Sequence, residues 1–360
     1  MATRLQYIIA KNQLSSIRHV PGSLGNKKMR FPLSLYVSLI GYLARKKLSG
    51  QRRFPLVLML EPTHQCNLAC TGCGRIREYH DTLPQEMSLE RCLQAVEECG
   101  APVVSICGGE PLLYSHVTQL VAELLQRDKH IYLCTNGLLM KQRLDEFKPS
   151  PRLIWSVHLD GPRETHDLIV NRKGVYERAM EAIREARRRG FLVCTNTTVY
   201  KESKPAELCR LFDELERSKI SGLLVSPGYS FEEADQGLFL SRQEVIAKFS
   251  QLLDSLRNHR YWNSPLYLKF LTGERQLSCT PWGNPCVNPQ GWRGPCYLIA
   301  DRHYPTYAEL MRETDWERFE RQEDPRCKEC MVHCGFEPSA VFQGSHRLGD
   351  LIEMLKWNIT

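Results

Sequence analysis

Cys66-Asn67-Leu68-Ala69-Cys70-Thr71-Gly72-Cys73 places three thiols at C-x3-C-x2-C spacing directly after the apolar run Leu56-Val57-Leu58-Met59-Leu60. The number of thiols is the informative part. A closed structural zinc site takes four ligands, and an ordinary four-iron cluster takes four thiolates. Three close cysteines after a strand therefore read as a metal centre with one open position, the place where chemistry happens. Structural zinc thiols or core cysteines are the bland alternative.

Working outward, apolar runs alternate with helical stretches, the pattern of a mostly parallel sheet. Strands are expected at Leu56–Leu60, Val103–Cys107, Ile131–Cys134, Leu153–Val157, Leu192–Val199 and Leu223–Val225. Helices are expected at Leu89–Glu98, Val117–Arg127, Leu138–Phe147, Val175–Arg189 and Pro205–Arg217, with another amphipathic one at Gln243–Leu256. Six such units make a partial (βα)6 TIM-type barrel, whose chemistry gathers on the rim at the C-terminal strand ends. Every informative motif falls there: the cysteine loop, then Cys107-Gly108-Gly109-Glu110-Pro111, Thr135-Asn136-Gly137, Ser156-Val157-His158-Leu159-Asp160-Gly161, Thr195-Asn196-Thr197-Thr198 and Ser226-Pro227-Gly228. Polar side chains concentrated on that rim, Asn136 among them, are expected to contact ligand, although turn and cap roles compete for each.

The cysteine loop and Gly108-Gly109-Glu110-Pro111, in this order, resemble the radical S-adenosylmethionine (SAM) superfamily. The resemblance implies that Cys66, Cys70 and Cys73 hold three irons of a [4Fe-4S] cluster while SAM chelates the fourth. It implies that the Gly108–Pro111 turn meets the SAM amino group and that Ser156, Asp160 and Asn196 contact its ribose or carboxylate. The family often has an aromatic residue just before the third cysteine, where this chain has Gly72.

Composition narrows the setting. With 360 residues, 42% of them hydrophobic, the chain can build a barrel plus a smaller appendage. Its 15 cysteines come without a signal peptide or the dense pattern of small secreted proteins, so reduced cytoplasmic thiols are expected, which also suits an oxygen-labile cluster. Net charge is +7, with basic residues crowded near the start: Lys27, Lys28, Arg30, Arg45, Lys46, Lys47, Arg52 and Arg53. Between them, Phe31–Ala44 is apolar but too short to span a bilayer. Two readings stay open: a helix packed on the barrel under a solvated basic collar, or an amphipathic segment in peripheral contact with an anionic membrane, at the inner face of the cell membrane. No nucleic-acid module is recognisable.

The last ninety or so residues are rich in Cys, Pro, Gly and Trp. Cys327-x2-Cys330-x3-Cys334 has metal-binding spacing, and Cys296 is the candidate fourth ligand. Thiolates suit an auxiliary iron–sulfur cluster or a zinc equally, and metal-free cysteines are the remaining alternative. The expected domains are a basic amphipathic extension over 1–52, the barrel over 53–265 and a Cys-rich domain over 266–360.

Further stretches refine the resemblance: Phe54–Pro62, Cys279-Thr280-Pro281-Trp282-Gly283-Asn284-Pro285, Ser226-Pro227-Gly228-Tyr229 and Cys330-Met331-Val332-His333-Cys334-Gly335-Phe336-Glu337. From about residue 50 to 340 they look like the hopanoid-biosynthesis radical SAM family, the adenosyl-hopene transferases. That implies a 5′-deoxyadenosyl radical adding to the terminal alkene of a hopene (diploptene), with reduced flavodoxin or ferredoxin as electron donor. It also requires a hydrogen-atom donor near SAM, for which Cys107 is the candidate. Competing readings are a radical SAM enzyme acting on a peptide or another polyprenoid, and a non-catalytic thiolate–metal scaffold.

Overall fold

The computed structural model describes residues 30–231, 234, 236–255, 259–344 and 347–359. Lys27 and Lys28 of the basic collar lie outside these. Helix α1 (Leu33–Leu48) leads into six parallel strands: β1 (Val57–Leu60), β2 (Val103–Ile106), β3 (His130–Thr135), β4 (Leu153–His158), β5 (Leu192–Val199) and β6 (Gly222–Pro227). They pair in chain order, β1 with β2 through to β5 with β6. The crossovers carry α2 (Leu89–Cys99), α3 (Val117–Gln126), α4 (Met140–Arg143), α5 (Val175–Arg188) and α6 (Pro205–Arg217).

Local chemistry explains the crossover helices. Ser88 Oγ accepts from Arg91 N to cap α2, and Gly100 ends it in the left-handed conformation that glycine adopts without strain. Proline at the first position of α6 costs nothing, because that N–H would go unpaired anyway. Leu138–Phe147 departs from the single helix expected: α4 has four residues and passes into a 3-10 turn, Leu144–Glu146. Pro149 and Pro151 follow closely, and each disfavours helical geometry in the residue before it.

Strand parity separates two interiors. Leu58, Leu60, Val104, Ile106, Ile131, Leu133 and Trp155 face the crossover helices and form the main core with them. The alternate set faces into the barrel: Met59 and Cys107 lie with Cys134, while Ile154, Cys194 and Trp262 lie with Tyr132 and Leu224.

The barrel is open. On the far side of β1 the sheet continues as β7 (Cys286–Asn288), parallel to β1, then β8 (Gly291–Pro295) and β9 (Ala300–Tyr304), both antiparallel, in the order β6-β5-β4-β3-β2-β1-β7-β8-β9. The division placed at residue 266 is therefore no break in the sheet. The open edge of β1 would expose a row of unpaired backbone groups, and β7 covers it. After α7 (Arg242–Ser255), the chain closes with α8 (Pro265–Leu271), α9 (His333–Gly344) and α10 (Leu348–Ile359).

Candidate active site

The cysteine loop leaves the end of β1 and is pinned on several sides. Asn136 Nδ2, from the turn after β3, donates to Asn67 Oδ1 at 2.7 Å. Arg172 donates to Asn67 O, Thr71 N to Ile169 O, and Arg77 to the carbonyls of Cys70 and Cys73. Cys66 and Cys70 rest on an apolar seat of Leu68, Leu138, Val170 and Val175. All three thiols are partly exposed on the rim. Burial pushes the Cys66 thiol up to about 11 and the Cys70 thiol further, with neighbouring thiols adding to both. A cationic centre reverses this, since metal-bound thiols deprotonate outright. The donor set fits a cluster held by three protein thiolates, which leaves one corner for SAM.

Gly108 and Gly109 brace that loop from below. Gly109 N donates to Thr63 O at 3.0 Å and Glu110 N to Gln65 O at 2.7 Å. A Cβ on Gly109 would lie 2.0 Å from Gln65 O, and Gly108 has φ +106° with Thr63 O 2.5 Å from its would-be Cβ. Only glycine permits so close an approach. Glu110 is fully buried: Oε1 accepts from Leu112 N and Thr135 Oγ1, and Oε2 from Asn136 N. Burial raises its pKa to about 7 against those three hydrogen bonds. Pro111 opens a 3-10 turn, Pro111–Leu113. The motif thus ties the cysteine loop to the turn after β3.

The other rim residues divide by their engagement. Asp160 is fully buried, accepting from Thr198 N at 2.7 Å, with its second oxygen 2.6 Å from His158 Nε2. Ser156 faces the barrel interior between Cys134 and Cys194. Asn196 is half-buried on β5, opposite His158. Gly72 has a physical reason: a Cβ there would lie 2.6 Å from Tyr200 Oη, so a ring from the end of β5 fills the space beside the third cysteine.

Sequence reasoning missed two features. The first is a buried ion pair, Arg75 Nε to Glu61 Oε1 at 2.6 Å. Burial works to raise the Glu61 pKa, but Arg75, with His64 and Arg293, prevails and holds it below the usual carboxylate range. Arg75 also donates to Tyr297 O and lies 4.4 Å from the centre of the Tyr297 ring. The signal available was Arg75 standing two residues after the last loop cysteine. The second is Cys279. Together with Cys296, Cys327, Cys330 and Cys334 it lines one small cavity, which Tyr229 and Tyr297 also border. Burial and the four other thiols all raise the Cys279 pKa. Five thiols lining one apolar cavity fit a soft metal centre. Among the described residues, no three His, Cys, Asp or Glu side chains converge as closely as a single ion requires.

Cys107 completes the site. Its backbone N–H donates to Leu60 O, and its side chain points into the barrel among Met59, Cys134, Cys286 and Tyr297. Burial, then the Glu61 charge, raises its pKa well above 9, so the sulfur keeps its proton.

The fold is thus an open parallel βα barrel with a three-cysteine loop on its C-terminal rim. Residues 60–215 match the radical SAM superfamily model. Residues 223–354 match a domain of unknown function, DUF3463. The chain is 27% identical over 235 residues to an Fe-coproporphyrin III synthase of Methanosarcina barkeri, covering 60% of this chain and 58% of that protein. It is 30% identical over 171 residues to a GTP 3′,8-cyclase of Aquifex aeolicus, covering 44% and 53%. The chain thus spans little more than half the length of these curated relatives. SuiB of Streptococcus suis bound to S-adenosylmethionine shares the fold, with TM-score 0.63, 15% identity and coverage of 92% of this chain and 83% of that one. So does anSMEcpe with bound AdoMet, with TM-score 0.53, 16% identity and coverage of 84% and 96%.

Proposed function

We propose that the chain is a radical SAM enzyme that adds the 5′-deoxyadenosyl group to the terminal alkene of a hopene, giving adenosylhopane. When bound, the cluster and SAM supply a 5′-deoxyadenosyl radical and methionine. The Cys66–Cys73 loop holds the cluster, and the glycine brace with Asn136 fixes the loop. Tyr200 offers the aromatic face that residue 72 lacks. Addition breaks the alkene π bond, forms a carbon–carbon bond and leaves a tertiary carbon radical. The Cys107 S–H then breaks, the substrate gains C–H, and the thiyl left behind returns to thiol by taking one electron from a reduced flavodoxin- or ferredoxin-type donor and one proton from solvent.

The observation that carries this reading is Cys107, a buried thiol inside the barrel one residue before the Gly108–Pro111 turn. The apolar neighbours beside it, Met59 and Val57, support a hydrocarbon acceptor. A second reading, a peptide-modifying radical SAM enzyme, draws on the five-thiol cavity. Incubating reduced enzyme with SAM and diploptene separates them: mass spectrometry should find a coupled adenosyl product. SAM cleaved to methionine and 5′-deoxyadenosine without that product would point to another substrate.

The same reading assigns a second metal, iron–sulfur or zinc, to Cys296, Cys327, Cys330 and Cys334, with Cys279 a fifth thiol in reach. A protein with Cys66, Cys70 and Cys73 all changed to alanine reports this site alone. Purified without oxygen, it should retain metal that is lost when Cys327, Cys330 and Cys334 are also replaced. Metal at background before those replacements would remove the second site.

A further inference from the structure

Both terminal helices present an apolar stripe to the outside. On α1 the exposed positions are Val37, Ile40, Ala44 and Leu48, with Ile40 51% and Leu48 88% exposed. On α10 they are Leu348, Leu351, Ile352, Leu355 and Ile359. Each set follows the three-and-four spacing of one helical face. The two helices meet where Arg30 N and Phe31 N donate to the backbone and side-chain oxygens of Asn358, at 2.9 and 2.8 Å. Both rest on α9: the Tyr42 and Phe54 cluster of α1 packs on Val341 and Phe342, and Met354 of α10 packs over Gly344.

Charge is sorted around these stripes. The first carboxylate in the sequence is Glu61, and among the described residues Arg30, Arg45, Lys46, Lys47, Arg52 and Arg53 precede it, Arg53 pairing with Glu320. The last turn of α1 carries Arg45, Lys46 and Lys47. On α10 both acids pair with cations, Asp350 with Arg275 and the partly exposed Glu353 with Lys269, while Lys356 and, just before the helix, Arg347 are exposed. Tyr42 Oη donates to Pro55 O just ahead of β1, which places α1 at the strand-start end, opposite the cysteine loop. Arg187, at the end of α5, belongs to the same end and adds positive charge there.

We propose that α1 and α10 together dock this protein on the surface of an anionic lipid bilayer, with the rim facing water. An apolar stripe needs a partner with an apolar interior, and a cationic border whose acids are paired needs an anionic one. A bilayer with acidic headgroups meets both needs at once. A second copy of the same face would set like charges against each other. Among the described residues no helix is long and apolar enough to cross a membrane, so the contact is peripheral. This inference stands apart from the chemistry proposed above, because it reads vesicle binding and not catalysis.

The test is sedimentation of the full-length chain with phosphatidylcholine vesicles, with and without phosphatidylglycerol. It should pellet with the anionic vesicles, be released by salt, and stay in solution with the neutral ones. Changing Ile40, Leu351 and Leu355 to glutamate should cut binding by at least about tenfold, and each of Arg45→Gln and Arg347→Gln by about fivefold. Thermal melting of each variant confirms that the fold is intact. No pelleting of the native chain, or undiminished pelleting of the glutamate variant, would overturn the proposal. So would light scattering that shows the native chain dimeric and the glutamate variant monomeric, since the face would then belong to a second copy.

Discussion

Changing any one of Cys66, Cys70 or Cys73 to alanine is expected to abolish SAM cleavage. The three thiolates set the position and potential of the cluster, and the loop offers no substitute for a lost ligand. The fold should survive the change. Asn136, Arg77 and Arg172 hold the loop through Asn67 and the carbonyls of Cys70 and Cys73, without using the sulfurs. Thermal melting of the metal-free protein should therefore stay near that of metal-free wild type, while methionine and 5′-deoxyadenosine release falls to background. A triple-alanine protein that still cleaved SAM would remove the site assignment altogether.

Cys107→Ala should separate radical generation from product closure. A thiol S–H bond is weaker than a tertiary C–H bond, so hydrogen transfer from Cys107 to the substrate radical runs downhill. The variant should keep its cluster and cleave SAM at close to the native rate. Saturated adduct should fall by about tenfold or more, equivalent to a barrier raised by at least about 1.4 kcal/mol, with the radical diverted to alkene and other by-products. Cys134 and Cys286 pack in the same interior cluster, so Cys134→Ala and Cys286→Ala are the controls that should retain product. Near-native saturated product from Cys107→Ala would return that residue to a packing role. Loss in all three variants alike would point to disturbed packing of the interior.

The sequence alone located the strands of the barrel and the rim. A four-to-eight-residue apolar run ending in a glycine-rich or polar turn is a local signal, and it placed the cysteine loop, Gly108–Pro111 and Asn136 correctly on strand ends. It could not supply what depends on contacts distant in the chain. Strands β7 to β9 are three to five residues long, β8 contains Gly and Pro, and β7 is held by the otherwise open edge of β1. The direction of Cys107 was undecidable from spacing, because one residue of register flips a side chain to the other face. Tyr200 over Gly72, Arg75 on Glu61, and Cys279 beside Cys330 join residues 14 to 128 positions apart. Spacing fixed which residues could hold metal; only the packing of remote segments decided which side chains share a cavity, because proximity across a fold leaves no periodic trace in the chain.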